Sequence, residues 1–231
     1  MRSITLAGQA VSYRLRRSRR RTIGLAIDHG GLRVGAPLHV RLGDIEDLIR
    51  QHGQWVLDKL ATWRARPVPA PLTVADGAAI SAFGAALTLA IRPARRAAWH
   101  IDGLTLHLAV PATVDATTVL ETALREHARR VFAERLALYA ARLGEPTPPL
   151  RLSSARTRWG SCNQRGSIAL NWRLVFMPLP VVDYVVAHEL AHLREMNHSR
   201  RFWSVVEQLC PDWRARRLEL RQLGRRIPQP R

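Results

Sequence analysis

Hydrophobic and polar positions alternate with a short period over the first part of the chain. Residues 4–13, 22–27 and 32–34 read as strands around a turn at Asp28, His29, Gly30 and Gly31. The period then lengthens. Ile45, Leu48, Ile49, Trp55, Val56 and Leu60 fall on one face, which predicts a single helix over 43–63 with Asp44 as its cap. Prolines at 67, 69 and 71 hold the next segment extended. Residues 73–110 return to strands, with turns at Asp76-Gly77 and Asp102-Gly103 and alternating Leu104, Leu106 and Leu108. A second helical stretch, 118–143, places Leu120, Leu124, Val131, Leu138 and Tyr139 opposite its arginines, and Gly144 and Pro146 end it. Residues 150–159 and 167–174 read as a hairpin around 163–166, with Ile168, Leu170, Trp172 and Leu174 sharing one face. A helix over 181–196 follows Pro178 and Pro180, and two short helices capped by Ser199 and Asp212 close the pattern. No internal repeat is visible. The expected class is α+β, with a β-rich N-terminal region containing one helix (1–112) before a helix-dominated domain (113–231).

Composition changes this picture in one respect. The chain has 231 residues, 47% hydrophobic and 23% charged, which excludes a wholly disordered protein. Against 18 Asp+Glu stand 36 Lys+Arg, a formal charge of +18, and every one of those cations except Lys59 is arginine. Such a field favours nucleic acid, nucleotides or acidic protein surfaces, although an arginine-biased genome explains the same excess. Arg14, Arg16, Arg17, Arg19, Arg20 and Arg21 form the densest cluster, with Arg225, Arg226 and Arg231 at the other end. They are candidates for phosphate contact, or simply a solvated hairpin. Trp55, Trp63 and Trp99 offer stacking surfaces, yet core positions explain them as well.

Other classes fall away. Arg2 and the 14–21 cluster leave no apolar run for a secretory leader, so none is expected. The longest uncharged stretch, 77–91, is too short for a membrane span and is interrupted by Ser81, Gly84 and Thr88. Two cysteines, Cys162 and Cys210, are too few for a disulfide framework. The expectation is a cytoplasmic protein, with nothing to mark its oligomeric state.

The chemistry lies in the histidines. His188, Glu189 and His192 form an H-E-x-x-H pattern, and His198 follows six residues later. Residues four apart on a helix differ by about 40° and one turn, so His188 and His192 project side by side, as two ligands of one metal ion require. Glu189 sits about 100° away, poorly placed as a ligand but well placed to reach a water on the metal. His198 lies about 600° beyond His192 on a continuous helix. It joins the site only if the helix stops and the chain folds back, for which Asn197 supplies a left-handed terminator and Ser199 the next cap. Three imidazoles leave a fourth position for water, the mark of a catalytic zinc site with one ion per chain. Glu189 would accept a proton from the attacking water and pass it to the leaving group. The spacing to His198 equals that of the metzincins, but Glu195 stands where their glycine belongs and no downstream methionine turn follows. A glutamate third ligand would fall to Glu207 or Glu219.

Longer runs carry a resemblance. Arg158-Trp159-Gly160-Ser161-Cys162, then Leu170-Asn171-Trp172-Arg173-Leu174, the residues 183–193, Asn197-His198-Ser199 and Phe202-Trp203 together resemble the YgjP-like metallopeptidases, zincins related to the SprT and WLM-type proteases. The match is densest over 150–213 and extends to Arg17-Ser18-Arg19-Arg20-Arg21-Thr22-Ile23. The resemblance implies a gluzincin-like α+β catalytic domain over 113–231, zinc on His188, His192 and His198, and Glu189 as catalytic base. Ala191 stands where relatives often carry Cys.

The strand over 167–174 has a reading of its own. An extended substrate could add to its edge, with Asn171 and Arg173 turned away from the Ile168/Leu170/Trp172 face to line the cleft. Cys162 reads as structural and Tyr184 as packing one turn before His188. The function expected is therefore a zinc metallopeptidase acting on protein or peptide. Two alternatives are a metal-dependent hydrolase of nucleotide phosphoanhydrides on the same site, and a protease or binding module recruited to nucleic acid.

Overall fold

A computed structural model describes residues 1–28, 30–64, 72–155, 157–224 and 227. The proline-spaced segment, His29 of the first turn, and Arg225, Arg226 and Arg231 lie outside the described residues. The chain divides into two compact units, Met1–Val68 and Pro69–Arg231. The division comes at the proline segment, so residues 72–112, expected with the N-terminal region, belong to the second unit.

In the first unit, β1 (Arg2–Leu6), β2 (Gln9–Ser18), β3 (Gly24–Asp28) and β4 (Gly31–Pro37) form one sheet in the order β1-β2-β4-β3. The stretch 4–13, expected as one strand, is two: Ala7 and Gly8 take φ of 45° and 79° and close a tight hairpin between them. Ile4, Leu6, Val11, Tyr13, Leu32 and Val34 fill the inner face against Ile45, Ile49, Val56 and Leu60. Those four come from two helices where one was expected, α1 (Leu42–Gln51) and α2 (Gly53–Arg64), which meet at His52. Arg41 stands at the helix start and Asp44 lies in the first turn, where a carboxylate faces the free N–H groups without being the cap. Two helices are therefore present in a region expected to hold one.

The second unit opens with the same topology. β5 (Ala79–Ala82), β6 (Ala85–Pro93), β7 (Ala98–Asp102) and β8 (Thr105–Val110) pair in the order β5-β6-β8-β7. In both sheets the outer pairs are antiparallel and the central pair is parallel. The inner faces correspond position by position. Tyr13 and Leu15 register with Leu32 and Val34, as Leu89 and Ile91 register with Leu106 and Leu108. Leu25 and Ile27 complete the first row, Trp99 and Ile101 the second. The turn after the first strand is again left-handed, at Phe83 and Gly84 with φ of 52° and 89°. This is an internal structural repeat, although none was visible in sequence. A sheet needs only alternation and turn chemistry to repeat, and the identities inside that pattern have diverged.

After the second sheet the repeat ends. The helix α3 (Ala116–Leu143) is unbroken, capped by the Asp115 carboxylate on Thr117 N–H and closed by left-handed Gly144. Its buried face, including Leu124, Ala128, Phe132 and Leu136, packs against the 3-10 helix and the fourth helix among the elements that follow. Those elements are β9 (Leu150–Ser153), β10 (Gly160–Cys162), β11 (Ile168–Asn171), a 3-10 helix (Trp172–Phe176), α4 (Leu179–Ala191), α5 (Arg200–Leu209) and α6 (Trp213–Leu223). Arg135 of α3 grips Asp183 of α4 with two bonds of 2.6 Å. Beyond α4, Arg194 donates to Leu143 O and to Glu145 at 3.0 Å, tying the following loop to the far end of α3. The Phe83 turn holds the start of α4: its N–H donates to Val175 O at 2.6 Å and its carbonyl accepts from Leu179 N–H at 3.3 Å.

The expected hairpin over 150–174 is corrected. β9 runs parallel to β11, and the antiparallel partner of β11 is the three-residue β10, giving the order β10-β11-β9. Trp172 and Leu174 leave the strand for the 3-10 turn. No helix among the described residues is long and apolar enough to cross a membrane.

Candidate metal centre

The active-site helix is shorter than its hydrophobic pattern suggests. α4 ends at Ala191, so His192 is its C-cap and not an interior residue. The reversal begins there, with Leu193 N–H bonding Leu190 O and Arg194 N–H bonding Ala191 O. Asn197, expected as a left-handed terminator, is not one: among the described residues only Ala7 and Phe83 are non-glycines with positive φ. Ser199 does cap α5, accepting from Phe202 N–H at 3.3 Å. The fold-back anticipated from the spacing is thus present, made by a tightened last turn.

It brings His188, His192 and His198 together, with one nitrogen from each inside a group no more than 4.8 Å across. His188 Nε2 and His198 Nε2 lie 3.2 Å apart. Two nitrogens bound tetrahedrally at zinc distance would be about 3.3 Å apart, so the pair is spaced for one ion. His192 Nδ1 meets the carbonyl of Glu195 at 3.1 Å, which puts the proton on that nitrogen and leaves Nε2 with a lone pair facing its partners. His188 is held neutral: burial, then the two neighbouring imidazoles and Arg217, push it down to about 3. A converging set of three imidazole nitrogens fits a borderline-soft divalent ion such as zinc. Glu207 and Glu219, the alternative third ligands, are ion-paired to Arg214 and Arg216.

An aromatic floor fixes the imidazoles. Phe202, fully buried, lies with its ring centroid 4.9, 4.6 and 4.6 Å from those of His188, His192 and His198. Trp203 flanks His188 and His198 at 5.8 and 6.0 Å and stacks on Trp213 at 4.2 Å. Tyr184 packs edge-on against His188 at 6.0 Å, as expected of it.

Glu189 is 5% exposed, and burial pushes its carboxyl up to about 7 against the opposing charge of Arg158. Its seat is made by a residue that sequence reasoning passed over. A methyl group on Gly160 would lie 2.6 Å from Cγ and 2.7 Å from Cδ of Glu189, and closer still to Oε1. Only the bare backbone of β10 leaves room for this carboxylate. Gly160 stood within the Arg158–Cys162 run, but a glycine in a short strand gives no sign of what approaches it. Cys162, two residues on, is half-buried; burial and the nearby Glu189 both raise its thiol.

The two proposed substrate contacts fare differently. Asn171 was expected to line the cleft, but it is buried and its amide is used on backbone. Nδ2 donates to Ala155 O and Arg158 O at 2.7 and 3.1 Å, and Oδ1 accepts from Arg173 N–H. It shapes the loop leading to Gly160. Arg173 lies over the Trp172 ring at 4.9 Å.

With this geometry in view, the chain matches the YgjP-like, metallopeptidase domain family over residues 21–223. It belongs to that family. No curated protein matches the chain. Among solved structures, this YgjP-like chain is similar to the metallopeptidase zymogen of Pyrococcus abyssi abylysin, at 24% identity over 42% of this chain and 97% of that one, with a TM-score of 0.37.

Proposed function

We propose that this metallopeptidase is zinc-dependent and hydrolyses peptide bonds with Glu189 as general base. The observation that carries the reading is the convergence of three imidazole nitrogens beside a buried, isolated carboxylate. His188, His192 and His198 would hold the ion. When bound there, zinc supplies Lewis-acid polarisation of a substrate carbonyl and eases deprotonation of water. Glu189 takes the proton from the attacking water on its carboxylate and delivers it to the amide nitrogen as the C–N bond breaks. A carboxyl raised toward neutrality suits both halves of that transfer. Because β10 and not β11 is the sheet edge beside Glu189, an extended peptide would pair along residues 160–162. Asn171 contributes by holding the loop before that edge.

Against the phosphate-directed alternative, two members of the arginine cluster are already engaged by backbone carbonyls of the first unit. Arg14 donates to Gly30 O, and Arg17 to the carbonyls of Pro37, Leu38 and Val40. The test is Glu189→Gln assayed on a casein digest and on nucleoside triphosphates. The expected result is loss of peptide cleavage by about 10³-fold or more, with one zinc per chain retained. Phosphate release that depends on Glu189, without proteolysis, would overturn the reading.

A further inference from the structure

On α6, Arg214 pairs with Glu207 at 2.9 Å, and Arg216 with Asp212 and Glu219 at 2.7 and 3.0 Å. Arg217 and Arg221 share one face of the same helix, four residues apart, and neither has a carboxylate partner among the described residues. Both Arg214 and Arg217 lie on aromatic faces, 4.6 Å from the Trp213 ring and 5.2 Å from the Trp203 ring, but only Arg217 does so without a carboxylate partner among the described residues. The Trp203 ring is the one flanking His188 and His198, and it is immobilised by its stack on Trp213. Helix α6 packs on α4, and the charge of Arg217 is felt at both His188 and Tyr184, that of Arg221 at Tyr184. An exposed, unneutralised cation is thus fixed at the rim of the metal centre, on the Tyr184 side. Positive charge also comes from Arg158 near Glu189. A stacked guanidinium keeps its in-plane donors free, in the fork geometry that takes a carboxylate with two hydrogen bonds.

We propose that Arg217, held on Trp203, is a specificity-determining residue that binds a substrate carboxylate next to the scissile bond. This rests on the peptidase reading above and names its substrate class: peptides with a carboxylate one or two residues from the cut. That group is either a free C-terminus or an Asp or Glu side chain. The pairing would be a charge-assisted, two-pronged bond formed by a guanidinium already held in place on the Trp203 ring.

The experiment compares one peptide in four forms: C-terminal acid, C-terminal amide, and amides with Glu or Gln beside the scissile bond. For the wild-type chain, kcat/KM for an acid form should exceed its neutral counterpart by at least tenfold, mainly through KM. In Arg217→Gln that ratio should fall to about one, and Arg217→Lys should recover part of it. Arg214→Ala, which removes a neighbouring cation already paired to Glu207, should leave the ratio as in wild type. The free-acid and Glu arms tell the two carboxylate sources apart. Equal rates for acid and neutral forms in wild type, or a preference that survives in Arg217→Gln, would overturn the proposal. A second measurement separates it from the catalytic reading. The zinc-loaded Glu189→Gln chain, titrated calorimetrically with the acid and amide peptides, should favour the acid, and lose that preference with Arg217→Gln. If no peptide is cut by wild type, the peptidase reading fails while this binding difference still decides the role of Arg217.

Discussion

The two four-stranded sheets have the same strand order, the same central parallel pair and the same left-handed hairpin turn, yet among the described residues only the second is followed by a group of histidines that could hold a metal ion. The difference begins at that turn. In the first unit a methyl on Gly8 would meet nothing within 4 Å. In the second, the Phe83 backbone bonds both the 3-10 helix and the first residue of α4, and Gly84 lies against Pro178. The following helix differs as well. α1 and α2 break at His52 and cover one sheet, whereas α3 runs on for 28 residues and anchors α4 through Arg135 and the metal loop through Arg194. A sheet with a covering helix is a common scaffold. What makes the second copy a site is the set of contacts by which its turn and helix fix the position of α4.

Gly160→Ala should break the difference between the halves without touching what they share. It disturbs neither sheet, but its methyl must displace the Glu189 carboxylate. A misplacement of about 1 Å in a catalytic group lowers rate by about 10²-fold, so kcat should fall by that factor with zinc still bound at one per chain. Pairing it with Glu189→Asp, whose shorter side chain leaves room for the methyl, should give much less than the product of the two losses. Full multiplicativity would mean that Gly160 acts elsewhere.

Much of this was legible before the structure. The H-E-x-x-H geometry, the return of His198, the Ser199 cap and the end of α3 at Gly144 follow from local rules about helix faces and termini. What escaped depends on contacts between residues distant in sequence. The parallel pairing of β9 with β11 could not be told from a hairpin, because alternation fixes a strand's faces and not its neighbour. Asn171 has the polarity of a cleft residue, and only the path of the 155–158 loop shows that its partners are carbonyls. His52 breaks a helix whose apolar spacing is continuous. The repeat was hidden for a related reason: registered pairs such as Leu15/Val34 and Ile91/Leu108 match in burial and not in identity.

The second unit carries an electrostatic burden near neutral pH at Glu189. Glu189 is raised from 4.5 to about 7 by burial, so between those values the folded, metal-free chain binds more protons than the unfolded one. Stability must then fall as pH rises through that window, by at most about 3 kcal/mol for a shift of this size. Metal-stripped Glu189→Gln should therefore unfold at higher denaturant concentration than stripped wild type at pH 8, and the gap should close by pH 4.5. A gap of equal size at both pH values would show that the carboxylate is not the source. The docked turn tests the same contrast by packing. The Phe83 ring meets His127 at 5.3 Å and Phe132 at 6.0 Å. Phe83→Ala should cost about 2 kcal/mol, at the low end for a half-buried aromatic, and lower metal affinity with it. Ala7→Ser at the matching turn should alter neither.

The smallest effect concerns the charge that dominates the composition. Residues 1–68 hold thirteen of the 36 cations and five of the 18 acids. On the outer face of the first sheet, Arg14 registers directly opposite Arg33, where the second sheet places Ala90 opposite His107. Like charges so placed cost a few tenths of a kcal/mol, while the exposed ion pair of Arg33 with Asp28 at 3.2 Å returns about as much. Arg33→Ala removes both terms and should shift unfolding of the first unit by no more than about 0.5 kcal/mol. Asp28→Asn removes only the attraction and weakens the bond from Gly30 N–H, so it should cost about 1 kcal/mol. If Arg33→Ala proved the more damaging, the arginine face would be part of what holds the sheet together. The near-cancellation expected instead means that the fold of the first unit is indifferent to this charge.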